Sequence, residues 1–178
     1  MKKIILLSVL LSFILMTAYS QNSKLEVGKK IPEWVLPDAN GVDHSMDSWK
    51  GKVLQINYVD PDEEALNDHF NDEIDKATDV DKRIDKDHFK GFGIVDSKST
   101  WKPNGVIKMI AKRKEKKYGT TILFDKEGLL HEKWDAPMDS YTIVIADKDR
   151  VCRALYTGKV PEDEIEDIIQ LIIKLTKE

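Results

Sequence analysis

The residues best suited to chemistry lie in one acidic stretch in the first half of the chain. Asp60 ends an apolar run, Pro61 follows it, and the next side chains that could bind a ligand are Asp62, Glu63, Glu64 and His69. Carboxylates with an imidazole can hold a divalent cation, so one hypothesis is a metal-dependent protein or enzyme. The alternative, which we favour, is that the acids cap and begin a helix, because that accounts for each of them without a metal.

Cys152 is the only cysteine of the chain. One cysteine cannot form an internal disulfide, so a bond between chains and a reactive thiol remain open. A lone cysteine in an apolar strand is more often a small core residue, and we favour that interpretation.

The overall charge and the remaining motifs exclude several classes of function. The formal net charge is −4, whereas binding to phosphates needs clustered Lys and Arg, so we expect no nucleic-acid partner. The sequence offers no Ser-His-Asp arrangement, phosphate loop or zinc-ligand spacing. We therefore assign no catalytic residue, no metal ligand and no cofactor.

The acidic stretch is positioned by a strand and a helix. Residues 53–59 are almost entirely apolar, which predicts a central strand covered on both faces. Pro61 suits a first helical position, and the apolar spacing predicts a helix from Pro61 to about Ala77. Residues 89–96 predict the next strand, so these three elements should form a parallel crossover. His69 should be half-buried and hydrogen-bonded rather than a ligand.

Hairpins are predicted on both sides of this unit. Asn40-Gly41 indicates a tight turn between two short strands near residues 34–37 and 42–45. Residues 121–134 and 142–156 each read as strand, Asp-Lys turn, strand. Gly128 occupies the turn position that favours positive φ, and Arg150 occupies the same position in the second copy. On backbone grounds alone, Arg150→Gly should be neutral or stabilising.

Two further helices complete the prediction. Asn104 should cap a helix over about 105–117, whose apolar stripe is opposite a face rich in Lys and Arg. That basic face suits the end of a helix dipole; a docking site for an acidic partner or anionic lipid is the alternative. Pro161 should begin a last helix with a buried stripe formed by Ile165, Ile168, Ile169, Ile172 and Leu175. Trp101 lies in the loop before the basic helix and would be a recognition candidate if exposed.

The first twenty residues predict a secretory signal peptide. Lys2 and Lys3 precede the apolar run 4–16, and small residues precede a cleavage site between Ser20 and Gln21. We expect residues 21–178 to form a single domain exported to the periplasm, with no stable membrane span after processing.

The order of elements resembles a thioredoxin fold of the peroxiredoxin and TlpA type. The matching parts include Val27–Pro32, the Asn40-Gly41 hairpin, Trp49–Val53 and the Ile145–Asp149 strand. Within that fold the chain is most similar to the YtfJ-like family of exported bacterial proteins. The resemblance implies an α/β three-layer sandwich with a mixed central sheet, helices on both faces and an N-terminal β-hairpin.

The resemblance also implies a scaffold without its redox chemistry. The two redox cysteine positions fall near Asp62 and Ala65, and the usual cis-proline position falls near Tyr141. With Asp60, these residues form a degenerate redox corner. The resemblance implies a redox-inactive binding module whose partner is an envelope protein or a small ligand. A transcriptional regulator, a label that family members sometimes carry, is a further alternative that the signal peptide and acidic charge disfavour.

Overall fold

The computed structural model describes residues 24–178, and the predicted signal peptide and its Ser20–Gln21 cleavage site lie outside them. The described residues form seven strands: β1 (Val35–Pro37), β2 (Asp43–Ser45), β3 (Val53–Val59), β4 (Phe89–Asp96), β5 (Ile122–Asp125), β6 (Tyr141–Ala146) and β7 (Cys152–Thr157). The α-helices are α1 (Asp68–Asp75), α2 (Asn104–Tyr118), α3 (Leu129–Trp134) and α4 (Ile165–Lys177). None of the helices in this part of the chain is long and apolar enough to cross a membrane.

The central sheet is mixed and has the order β5-β4-β3-β6-β7. β3, β4 and β5 run parallel, which confirms the predicted crossover between residues 53–59 and 89–96. β6 pairs antiparallel with both β3 and β7. β1 and β2 form a separate antiparallel hairpin, closed by a turn in which Gly41 has a φ of +81°. The N-terminal hairpin is thereby confirmed.

The sheet separates two apolar layers, because alternate residues of each strand face opposite sides. On one side, Leu54, Ile56 and Tyr58 of β3 pack in a core with the N-terminal hairpin and with Leu130 and Trp134 of α3. On the other side, α1 and α4 cover Val53 with Tyr141, Ile143 and Ile145 of β6, while α2 packs on a separate small cluster. These are the three layers of a thioredoxin-like sandwich, as the sequence predicts. The predicted stripe of α4 is fully buried.

The first of the two predicted C-terminal hairpins is wrong. Residues 121–134 form β5 followed by α3, rather than two strands. Gly128 does adopt a positive φ, of +69°, but the Asp125 carboxylate accepts hydrogen bonds from the amides of Leu129 and Leu130 at 2.8 and 2.9 Å. These bonds satisfy free N–H groups at a helix start. Leu130 and Trp134 are four residues apart and are therefore buried on one helical face.

Helix boundaries after β3 and before α2 also differ from prediction. The predicted helix from Pro61 to Ala77 is divided into a single 3-10 turn (Pro61–Glu63), α1 and a π-turn (Lys76–Val80). α2 begins at Asn104 itself, with Pro103 as its cap residue, so Asn104 does not cap it. The predicted stripe of α2 is buried at Ile107 and Ala111.

The expectation for Arg150 is overturned by its side chain. Its φ is +65°, as predicted for the second hairpin turn. However, the guanidinium is buried and donates hydrogen bonds to the backbone oxygens of Met46, Trp49 and Lys52, at 2.7–3.1 Å. Replacement by glycine would remove these bonds, so we expect it to destabilise the protein, which is opposite to the expectation from the backbone alone.

Candidate functional site

The strand-to-helix corner after β3 is built around a buried cap. Asp60 is 2% exposed, and its carboxylate accepts a hydrogen bond from the Asp62 amide at 2.7 Å. Burial raises the pKa of Asp60 above its ordinary value. Its own amide donates to the Ser140 oxygen at 3.0 Å, so the loop before β6 is fixed beside the corner. This carboxylate therefore organises the turn, as the capping interpretation predicts.

The outer side of the corner is closed by the loop that follows β4. The Lys102 ammonium pairs with Asp62 and also donates to the Pro61 oxygen at 3.2 Å. The Thr100 hydroxyl donates to the second Asp62 oxygen at 3.0 Å. The hydrogen bond from Lys102 holds the pKa of Asp62 below its ordinary value. A compensated carboxylate thus occupies the first of the two positions to which the resemblance assigns cysteine.

The remaining two residues of the degenerate redox corner have different surroundings. Ala65 is exposed to solvent. Tyr141 is buried, and its hydroxyl donates to Asn57 at 3.3 Å and accepts from Asn71 at 3.0 Å. Backbone pairing brings Tyr141 opposite Val59, next to the corner. The side chains of Asp62 and Tyr141 nevertheless bind separate partners and do not form one site.

The acids considered as metal ligands are engaged with other residues. Glu64 pairs with Arg113, and His69 Nε2 lies 2.9 Å from the Val160 oxygen. Asp62 is neutralised by Lys102. Within residues 24–178, no group of three or more His, Cys, Asp or Glu side chains is arranged to hold a metal ion. His69 is half-buried and hydrogen-bonded, as expected.

Cys152 is fully buried at the start of β7. It belongs to the core cluster on the hairpin side of the sheet, and its thiol donates a long hydrogen bond of 3.5 Å to the Ala154 oxygen. Burial raises the pKa of the thiol to about 11. Because the nucleophile in thiol exchange is the thiolate, the protein keeps this sulfur in its unreactive form. The prediction of a small core residue is confirmed.

A second polar cluster, which was not predicted from the sequence, lies at the carboxyl ends of the parallel strands. Asp96 ends β4, and its Oδ2 lies 2.6 Å from His131 Nε2. The other ring nitrogen, Nδ1, lies 2.8 Å from the Ala136 oxygen. Burial alone would lower the pKa of His131, but the bonds to Ala136 and Asp96 outweigh it, and the pKa is raised. Both ring nitrogens face acceptors, so this geometry suits an imidazolium ion.

This cluster has the composition of a catalytic triad without its geometry. The Ser99 hydroxyl lies 3.1 Å from His131 Nε2, the same nitrogen that contacts Asp96. In a triad the hydroxyl and the carboxylate bind opposite nitrogens of the ring. The cluster therefore joins the β4 loop to α3. A sequence signal did exist, since Asp60, Asp96 and Asp125 each directly follow apolar residues at the end of a strand, but the mistaken hairpin placed His131 in a strand.

Solved structures with the same fold include several thiol-active proteins. The thioredoxin domain of a thiol-disulfide oxidoreductase from Bacteroides vulgatus superposes with a TM-score of 0.62 and 13% identity, covering 84% of this chain and 99% of that one. A thiol peroxidase from Chromobacterium violaceum gives 0.59 and 17% identity, with coverage of 84% and 88%. The exposed lipoprotein thioredoxin Etrx1 from Streptococcus pneumoniae gives 0.58 and 18% identity, with coverage of 79% and 99%. At these identities the likeness establishes the thioredoxin-like fold.

Sequence comparison identifies one family and no curated relative. The model of the family described as "Bacterial protein of unknown function (YtfJ_HI0045)" matches residues 39–175. A comparison with curated proteins found no match.

Proposed function

The chain belongs to this family of bacterial proteins of unknown function, and we propose that it is a redox-inactive binding module of the cell envelope. One observation carries the proposal: the fold is that of thiol-active proteins, yet the single sulfhydryl is sealed in the core and a lysine-paired carboxylate occupies the corner. A thiol exchange enzyme needs an accessible thiolate at a helix start. A thioredoxin-like scaffold that lacks such a thiolate can still bind a partner or a ligand.

Trp101 is the residue best suited to contact a partner at the corner. It is 85% exposed and directly precedes Lys102, which holds Asp62. Tryptophan is enriched among residues that dominate binding energy at protein interfaces. An aromatic side chain in solvent beside a closed corner therefore supports recognition rather than catalysis.

Assays of thiol chemistry test the redox part of the proposal. We expect the purified protein to reduce insulin and consume hydrogen peroxide no faster than blank, and Cys152→Ser to behave identically. Turnover that disappears in Cys152→Ser would overturn the proposal.

Partner capture tests the binding part. The purified protein is immobilised and exposed to envelope extract, beside Trp101→Ala and a control, Met109→Ala, which removes another exposed apolar side chain. We expect a partner retained by the wild type and the control but reduced in Trp101→Ala. Equal retention by all three would reject Trp101 as the contact.

Export belongs to the same proposal and has its own test. The predicted signal peptide implies that cells deliver the protein to the periplasm and cleave it between Ser20 and Gln21. Mass spectrometry of the protein from a periplasmic fraction should find an N-terminus at Gln21. Uncleaved protein confined to the cytoplasm would contradict this part.

The metal-dependent alternative has less support, because Asp62, Glu64 and His69 each bind a different protein group. Calorimetric titration with calcium and with zinc should give no binding heat.

DNA binding, implied for a transcriptional regulator, should be absent from a gel-shift experiment at moderate salt, given the net charge of −4.

A further inference from the structure

A cleft of about 300 Å³ lies between α1 and α2, on the sheet face opposite Cys152. Its existence follows from the packing, because α1 belongs to one apolar cluster and α2 to another, with the cleft between them. Its volume is at the lower end of the range for small-molecule sites. No residue of the degenerate redox corner except Tyr141 lines it.

Two glycines of β4 keep the cleft open. Gly91 pairs with Gln55 and Gly93 with Asn57 in the register between β3 and β4, and all four residues line the cleft. A Cβ atom added at Gly91 would meet nothing closer than 3.7 Å. Side chains are therefore compatible with the backbone at Gly91, and their absence leaves space over the amides of β3.

The side-chain amides beneath this space form a hydrogen-bond network in which the donor and the acceptor of each bond are fixed. Asn71 Nδ2 donates to the Asn67 backbone oxygen at 3.0 Å, which can only accept. Asn71 Oδ1 is thereby turned towards Gln55, whose Nε2 donates to it at 2.9 Å. Gln55 must then present Oε1 on its other side. No described residue donates to this oxygen, although Gln55 is only 2% exposed.

Asp75 adds a negative charge to the same cleft. It lies one helical turn after Asn71 on α1, is half-buried, and lines the cleft. Within residues 24–178 it has no ion-pair partner, since the adjacent Lys76 pairs with Glu73. The other acids that line the cleft are compensated: Glu64 by Arg113 and Lys114, and Asp79 by Lys86.

Four lysines also line the cleft, namely Lys52, Lys86, Lys90 and Lys114, and none of them forms an ion pair with Asp75. Lys90 pairs with Leu54 in register, and Leu54 belongs to the core on the other face of the sheet, so strand alternation places Lys90 away from Gln55. Lys114 is held by Asp68 and Glu64 at the rim. One N–H of Asn57 is also left without a described acceptor, since its amide donates only to the Phe92 oxygen. Lys52 has no carboxylate partner either, but its ammonium donates to the Lys86 backbone oxygen at 2.9 Å. Within residues 24–178, Asp75 is therefore the one acid lining the cleft that no basic side chain pairs with.

We propose that this cleft binds a small amphipathic amine, whose ammonium group lies between Gln55 Oε1 and the Asp75 carboxylate and whose apolar body lies against Ile74 and Ile107. An ammonium supplies several donors and a positive charge, which are the complement of an amide oxygen without a described donor and an unpaired carboxylate. The apolar walls match a hydrocarbon or aromatic body. The inference rests on the proposed binding function and names the class of ligand for it.

The test uses three probes that differ only in their head group: 4-phenylbutylamine, 4-phenylbutanol and 4-phenylbutanoate. Binding to the purified protein is measured by calorimetry, and the site is located by amide NMR shifts. We expect the amine to bind about tenfold tighter than either other probe, as one charge-assisted hydrogen bond implies. We also expect the largest shifts at Gly91 and Gly93.

Matched variants separate the site from the fold. Asp75→Asn should lower affinity for the amine about tenfold and leave the alcohol unchanged, whereas Asp163→Asn, at an exposed position outside the cleft, should change neither. Gly91→Leu should abolish binding of the amine. Its control is Gly105→Leu, at a position with open space around it. Thermal unfolding of each variant establishes that it is folded.

Failure of this inference is distinguishable from failure of the proposed function. Equal affinity for the three probes, shifts located elsewhere, or no binding of any probe would overturn the amine site. In those three cases, a protein that is inactive in the insulin and peroxide assays would still agree with the proposed redox-inactive function. Thiol turnover would instead remove the proposed function whatever the probes show.

Discussion

Arg150→Gly is expected to destabilise the protein, although the same change relieves a strained backbone. Arg150 adopts a φ of +65° in the turn between β6 and β7. The residue is 8% exposed, and its guanidinium reaches across to the segment that leads into β3. There it binds the oxygens of Met46, Trp49 and Lys52, which include the end of the 3-10 helix Met46–Trp49.

The magnitude follows from separating backbone and side-chain effects. Relief of the strained left-handed backbone raises the free energy of unfolding by about 1 kcal/mol, and the greater conformational freedom of glycine in the unfolded chain lowers it by roughly the same amount. The side chain then decides the sign. Three backbone oxygens lose a donor in a buried setting, at about 1 kcal/mol or more each. The free energy of unfolding should therefore fall by about 3 kcal/mol.

Urea and thermal unfolding measure this change. A loss of about 3 kcal/mol corresponds to a melting temperature lower by roughly 6–12 °C for a domain of this size. Asp139→Gly is the matched control, because Asp139 also has a positive φ, of +51°, but is exposed; it should change stability by less than about 0.5 kcal/mol. Arg150→Lys should recover only part of the loss, since an ammonium lacks the planar fork. An Arg150→Gly protein as stable as the wild type would refute the reasoning.

Two further predictions concern the titration of His131 and the geometry of the corner. The pKa of His131 is raised in the folded protein, so its stabilising contribution is complete below the unfolded pKa of about 6.5 and is lost as pH rises through the folded value. The free energies of unfolding of the wild type and of His131→Gln are compared from about pH 5.5 to about pH 9. The difference between them should shrink as pH rises. A difference that grows with pH would contradict the assigned ion pair. The double variant Asp62→Cys/Ala65→Cys should form a disulfide on oxidation, because both residues lie in the consecutive tight turns between β3 and α1, where positions three apart are within disulfide reach. Failure of its thiols to disappear in a thiol titration would show that these positions are misassigned.

The sequence was sufficient for the scaffold because most of its elements have strong local signals. The apolar run at β3, the Asn40-Gly41 turn and the α4 stripe each agree with what the structure forms. These signals are local, and in each case packing reinforces the same choice. The family resemblance added that the central sheet is mixed and covered by helices on both faces, which periodicity alone does not provide.

The errors arose where a distant or backbone contact decides the structure. Residues 129–134 follow a predicted turn at Gly128 and were therefore predicted to form a strand. Capping by Asp125 and packing of Trp134 select a helix instead. Arg150 was judged on its φ, whereas its effect on stability depends on oxygens about a hundred residues earlier in the chain. The closure of the corner by Lys102 depends equally on a loop from another part of the fold.

Reactivity of Cys152 in the folded protein tests the central claim most directly, because the account requires that no thiolate is available on this scaffold. The purified protein is treated with iodoacetamide at neutral pH, with and without denaturant, and labelling is followed by mass spectrometry. A thiol that is fully buried and has a pKa of about 11 should stay unlabelled in the folded protein and react completely after unfolding. Labelling of the folded protein at the rate of the unfolded chain would contradict the account.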